Sequence, residues 1–155
     1  MTRSPARILR RVTLLVALLA AAGWSVIACS TPEVGLVNGQ LKPCPDSPNC
    51  VCSQTPPDDP GHFIEPLPLP AGAADPIARL GELLSELPRV DIVETRDDYL
   101  HAVFISRILR FRDDVEFLLD RQAGVFQVRS ASRLGYSDLG ANRERVERLR
   151  ELLSQ

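Results

Sequence analysis

DDVEFLLDRQAGVFQVRSAS, residues 113–132, is the stretch on which the fold turns. Val115, Phe117 and Leu119 alternate with Asp114, Glu116 and Leu118. Beyond Arg121-Gln122-Ala123-Gly124, Val125 and Gln127 alternate with Phe126 and Val128. Period-two alternation on both sides of a short loop, whose glycine can take a positive φ, reads as a β-hairpin. A loop over 121–124 pairs Asp120 with Val125, Phe117 with Val128 and Glu116 with Arg129. One face is then apolar, with Val115, Phe117, Leu119, Phe126 and Val128. The other carries Asp114, Glu116, Gln127 and Arg129. A slip of one residue would mix the two sets, so the pattern itself selects the register.

Working upstream, Arg107–Arg112 connects the hairpin to Tyr99–Ser106, where Leu100, Ala102 and Phe104 alternate with Tyr99, His101 and Val103. Arg96-Asp97-Asp98 is a turn, and Val90–Thr95 is a further strand. Asp75-Pro76 opens a helix, with Asp as N-cap and Pro at the first helical position. Its Ile77, Leu80, Leu83, Leu84 and Leu87 share a face, and Pro88 stops it. Downstream, Arg129–Arg143 reads as a loop rich in serine and glycine. Asn142 is the expected cap of a last helix whose Val146, Leu149 and Leu153 share a face. The interleaved Arg and Glu of that helix predict a solvated surface with local ion pairs. The expected fold class is α+β: a four-stranded antiparallel meander with an amphipathic helix before and after it, preceded by a Pro-rich irregular segment. Residues 75–155 form the body, and 42–74 form a Cys/Pro-rich irregular part of the same domain. Prolines 56, 57, 60, 66, 68 and 70 exclude a helix there and leave few amides for a sheet. His62, Phe63 and Ile64 are the expected points of attachment.

The N-terminus has another character. Arg3, Arg7, Arg10 and Arg11 precede the apolar run Val12–Ile27, which is short for a membrane span of about 20 residues. It ends in Val26-Ile27-Ala28-Cys29, which resembles the lipobox of bacterial lipoproteins. The resemblance implies a signal peptide over 1–28, lipidation (diacylglycerol, palmitate) of Cys29, and a tether over 29–41. The rival is an uncleaved signal anchor. Two or more acyl chains would fix the protein firmly to the membrane, facing the periplasm or the cell exterior. Ser30 in place of an aspartate after Cys29 leans towards the outer membrane if the cell is Gram-negative. Loss of the four arginines leaves 14 basic residues against 20 acidic ones, a net charge of −6. An acidic, exported chain is a poor nucleic-acid partner.

Cys44, Cys50 and Cys52 remain. In an oxidising compartment Cys44–Cys50 closes a small loop held by Pro45 and Pro48. Cys44–Cys52 stays open, and Cys50–Cys52 would be a strained ring. No histidine sits at zinc-finger spacing, so no structural metal is expected.

Pro43-Cys44-Pro45, Ser47-Pro48-Asn49-Cys50-Val51, His62 and Pro66 resemble the opening of the domain-of-unknown-function family 1499. Tyr99, His101, Asp113-Asp114, Glu116, Arg129-Ser130-Ala131-Ser132-Arg133, Gly135, Ser137-Asp138, Gly140 and Asn142-Arg143 resemble its C-terminal half. The resemblance covers about residues 40–153. It implies Cys44–Cys50 as the shared disulfide and leaves Cys52, where the family usually carries serine, as an extra thiol. It implies no activity, since the family has none assigned.

The polar sheet face gathers Tyr99, His101, Asp114, Glu116, Gln127 and Arg129. The loop beyond adds Ser130, Ser132, Arg133, Ser137, Asp138 and Arg143, with His62 close by. In a structural reading, Glu116 and Arg129 are an ordinary cross-strand pair on a half-exposed sheet. In a binding reading, Arg129, Arg133 and Arg143 hold an anionic small molecule, or the surface docks an envelope protein. In an enzyme reading, a hydrolase-like or metal-assisted reaction uses His101 with Asp114 and Glu116. No nucleophile elbow, His-Glu-x-x-His, Walker or Rossmann fingerprint is present, so no cofactor is expected. Asp113 and Asp114 point to opposite faces and cannot converge on a metal. The binding or accessory role, rather than catalysis, is the expectation carried forward.

Overall fold

The computed structural model describes residues 34–154, so the expected signal segment and the lipidation of Cys29 lie outside the described residues. Among the described residues the fold is α+β, with two helices and eight strands in two antiparallel sheets. The strands are β1 (Leu36–Val37), β2 (Gln40–Leu41), β3 (Cys50–Cys52), β4 (Leu67–Pro68), β5 (Val90–Thr95), β6 (Tyr99–Ile105), β7 (Arg112–Asp120) and β8 (Val125–Ser132). The helices are α1 (Pro76–Ser85) and α2 (Ala141–Leu153).

The meander β5-β6-β7-β8 is the middle of the larger sheet, in the expected register: Asp120 faces Val125, Phe117 faces Val128 and Glu116 faces Arg129. It is not the whole sheet. Cys50–Cys52, expected to be irregular, is a strand paired with Arg129–Ala131 of β8. Leu67–Pro68, in the proline-rich segment, pairs with Val125–Phe126 further along the same edge. Proline is admissible there because β4 borders the sheet and one ladder amide can be missing. β8 is therefore a strand up to Ser132, and the following loop begins only at Arg133.

The apolar face packs under the two helices. Val115, Phe117, Leu119, Phe126 and Val128 meet Ile77, Leu80 and Leu84 of α1 and Val146, Leu149 and Leu153 of α2. Phe117 and Phe126 meet edge to face, with ring centroids 6.4 Å apart. The Asp75 side chain accepts the N–H of Ala78 and caps α1, as its sequence predicts. α2 begins differently. Asn142 lies inside the first turn, buried, and the cap comes from Asp138, whose carboxylate accepts the N–H groups of Gly140 and Asn142. The left-handed Gly140 (φ 85°) lets the chain double back so that Asp138 can do this.

The second face of the sheet is also covered. β1 and β2 form a small hairpin in what the sequence suggested was tether, and Leu36, Leu41 and Cys44 pack on Cys52, Tyr99 and Leu118. Cys44 and Cys50 form a disulfide, and Cys52 is a free, buried thiol. His62, Phe63 and Ile64 do attach the irregular segment: Cys52 and Phe63 form an isolated bridge, and Ile64 enters the core.

Phe117, with no exposed surface, is expected to dominate the core. Phe117→Ala should cost about 3–5 kcal/mol in urea unfolding. Val93→Ala, at the β5 bulge and 57% exposed, should stay within about 0.5 kcal/mol of the parent.

Candidate functional site

The antiparallel register lines up one transverse row on the second face of the sheet. Cys52 of β3, Arg129 of β8, Glu116 of β7, His101 of β6 and Glu94 of β5 stand side by side. Tyr99 and Gln127 lie to one side of this row and Asp114 to the other. The sequence expectation that these polar residues share a face is met. The expectation that the face is half-exposed is not: Tyr99, His101, Asp114, Glu116 and Arg129 are all buried. The β1–β2 hairpin, the segment before it and Cys44 cover the part around Glu116, Tyr99 and Cys52.

Glu116 is the centre. Its Oε1 accepts from the Tyr99 hydroxyl (2.7 Å) and from the N–H of Gly35 (2.6 Å), and its Oε2 accepts from Arg129 Nη1 (3.0 Å). A carboxylate acceptor with three donors is the condition under which such a group can sit in the interior. Burial, reinforced by the bond to Glu116, pushes the Tyr99 phenol far above its usual range, so it remains a protonated donor. Arg129 Nε is buried without an acceptor among the described residues.

Asp114 forms a second cluster. Its Oδ1 meets His101 Nε2 (2.8 Å) and Arg133 Nη2 (2.7 Å), and its Oδ2 accepts from Arg133 Nε (2.9 Å). Burial acts to raise the pKa of Asp114, but the hydrogen bonds from His101 and Arg133 outweigh it and hold the carboxyl below its usual range. Gln127 is fixed by Ser53, whose hydroxyl donates to Gln127 Oε1 at 2.7 Å.

The remaining candidates lie elsewhere. Ser132 Oγ accepts from Asn142 Nδ2 (3.0 Å), under the start of α2. Ser137 Oγ accepts the N–H of Leu139, and Asp138 caps the helix. Arg143 donates to the carbonyls of Pro60 and Gly61 (3.0 and 3.1 Å) and so braces the irregular segment. Arg129, Arg133 and Arg143 are thus held by three different partners and do not converge on an anion.

A third cluster escaped the sequence reading. Asn142, with no exposed surface, joins Ser130 and Arg145 to the carbonyl of Asn49, and Arg145 is salt-bridged to Asp113 while its guanidinium stacks 5.2 Å from the Phe104 ring centroid. The even spacing of charges along α2 concealed that Arg145 turns inward.

A cleft of about 270 Å³ beside Cys52 is also lined by Cys44, Asp59 and His62. His62 Nδ1 is 2.8 Å from Asp59, a pairing that raises the histidine pKa. Its Nε2 faces the Ser47 carbonyl at 3.3 Å rather than a substrate position. Burial pushes the Cys52 thiol up, away from a reactive thiolate. Among the described residues, no group of three or more His, Cys, Asp or Glu is placed to hold a metal ion.

Comparison with known proteins adds one finding. The family model described as "Protein of unknown function (DUF1499)" matches residues 40–153. No curated protein and no solved structure matches the chain.

Glu116→Ala should cost about 3–5 kcal/mol, because it leaves Arg129 charged and unpartnered in the interior. The double variant Glu116→Leu/Arg129→Met should recover the part of that loss that comes from the stranded Arg129, while the Tyr99 and Gly35 donors stay unmet; an additive loss in chemical denaturation would refute the pairing. The lowered pKa of Asp114 also has a consequence for acid stability. Its contribution is fully present above the unfolded carboxylate value of about 4 and is lost as pH falls through the lower folded value. Asp114→Asn should therefore be less stable at neutral pH and show a shallower fall in stability below about pH 5.

Proposed function

The chain belongs to the DUF1499 family, and from that premise we propose that it is a lipid-anchored accessory protein of the cell envelope that binds through the loop end of its sheet. The anchor is the lipidated Cys29, and the domain faces the periplasm or the cell exterior, at the outer membrane if the cell is Gram-negative. The supporting residues are those of the lipobox-like Val26-Ile27-Ala28-Cys29.

One observation carries the binding half. The acids and bases of the covered face are taken up by one another, as in Glu116 with Arg129 and Asp114 with His101 and Arg133. Outside that network, the 133–140 loop holds Leu134, Tyr136 and Leu139 in solvent. Exposed large apolar groups gathered on one loop are the usual mark of an interaction surface. The covered face then serves as the rigid support that aims the loop. The enzyme reading has less behind it: His101 is only 3% exposed and already bonded to Asp114, which leaves no room for a substrate at its ring.

Two readouts in living cells test the two halves. Labelled palmitate should enter the wild-type protein and not Cys29→Ser; an unlabelled wild type ends the anchored reading. A photoreactive side chain replacing Tyr136 should crosslink to an envelope component, and one replacing Arg121, exposed on the β7–β8 turn at the opposite end, should not. Equal yields at the two positions would end the loop-end reading.

A further inference from the structure

The loop end of the sheet carries a second loop beside the first. β6 ends at Ile105 and β7 starts at Arg112, so the 106–111 loop leaves the same end of the sheet as the 133–140 loop, which follows the last residue of β8. The N–H of Arg133 donates to the carbonyl of Arg112 (3.3 Å) and ties the two loops at their bases. The 106–111 loop is closed on itself: Ser106 N–H donates to the Phe111 carbonyl (2.9 Å), and Phe111 N–H donates to Ser106 Oγ (2.8 Å). Its tip is therefore held out rather than folded back. Ile108 is 86% exposed, Leu109 68% and Phe111 48%, alongside Leu134 at 67%, Tyr136 at 75% and Leu139 at 97%. The turns at the other end of the meander, Arg96-Asp97-Asp98 and Arg121–Gly124, carry no large apolar side chain.

Within the two loops and the strand ends they join, the charges are sorted by sign. Arg107, Arg110 and Arg112 interleave with the apolar residues and are exposed, and none is salt-bridged to another described residue. The acids of the same segments turn inward: Asp113 to Arg145, Asp114 to His101 and Arg133, and Asp138 to the start of α2. The 106–112 segment of an acidic chain thus presents arginine and apolar side chains together. Apolar tips flanked by arginines fit the boundary of an anionic bilayer, where the tips enter the acyl region and the guanidinium groups meet phosphates.

Chain length is consistent with that contact. Gly35 is bonded to Glu116, and Glu116 lies four residues from Arg112 along β7, roughly 13 Å at about 3.3 Å per residue. The six residues from Cys29 to Gly35 span at most roughly 20 Å. Acyl chains on Cys29 and the loop end can reach one bilayer.

We infer that the paired loops 106–111 and 133–140 form a docking surface for anionic phospholipid, with Ile108, Leu109 and Phe111 seated in the membrane interface and Arg107, Arg110 and Arg112 on its headgroups. The inference rests on the loop-end reading above and names the partner of that surface as lipid.

The test uses the full chain purified from its host membranes and reconstituted in vesicles of phosphatidylcholine alone or of phosphatidylcholine with phosphatidylglycerol. Either the acyl chains or the apolar run 12–27 retains the protein there, and intact mass reports lipidation separately. Amide hydrogen exchange in 106–112 and 133–140 should slow several-fold in the phosphatidylglycerol vesicles relative to phosphatidylcholine. In Ile108→Ser/Leu109→Ser, whose altered side chains lie outside the core, the 133–140 amides should return to the faster rate while β7 and β8 stay protected. Equal loop exchange in both vesicle types overturns the lipid docking surface. If the loops are protected in native membranes but not in phosphatidylglycerol vesicles, the lipid inference also falls, and the loop-end reading stands with a protein partner.

Discussion

Glu116 has no exposed surface, and the three donors that make this tolerable come from three separate places in the chain. Tyr99 belongs to β6, Arg129 to β8, and Gly35 to the segment before β1. A carboxylate in that position requires all three, because an unmet charge in the interior costs more than most single contacts contribute. The requirement reaches beyond the pair. Gly35 can donate only if the β1–β2 hairpin lies over the sheet, and that hairpin completes the small apolar cluster of Leu41, Cys52, Tyr99 and Leu118. The disulfide between Cys44 and Cys50 fixes the loop that leads from the hairpin to β3. The second layer of the fold is organised around one acid.

The two faces of the sheet were not equally legible in the sequence. The register of β7 and β8 could be read residue by residue, because period-two alternation and a glycine loop over-determine it. The start of α1 was equally plain from Asp75-Pro76. β1, β2 and β4 are two residues long, too short for any periodicity to show. β3 was hidden by the prolines upstream of it. A polar residue on a strand reads as exposed by default. Long-range contacts reverse that for the second face, such as the pairing of Gly35 with Glu116, 81 residues apart. The same limit applies to Arg145, whose salt bridge to Asp113 spans 32 residues and leaves no local trace. Asn142 looked like a cap because asparagine favours that position, yet a buried amide with partners on three segments makes it a joint between α2, β8 and the Asn49 loop.

The residues with the most suggestive chemistry therefore serve the interior, while the large residues held out on the two loops are apolar and arginine. Rigidity and contact are assigned to different parts of the domain. The ion pairs and the disulfide stiffen the sheet as far as the bases of the two loops, and the loops beyond carry the exposed apolar surface. A chain of this size has limited core to draw on, and filling both faces of one sheet is a way to bury more of it.

The Gly35–Glu116 bond also sets an order of events. The chain emerges N-terminus first from any ribosome or pore, so residues 34–41 and the 44–50 disulfide loop are available early. Their seat is made of β7 and β8, and Asn49 waits for Asn142, 93 residues later. The cover precedes the surface it covers by most of the chain. The contacts of the cover are therefore distant ones, which are slow to close. Until β7, β8 and the start of the last helix are in place, the early segment has nothing to settle on.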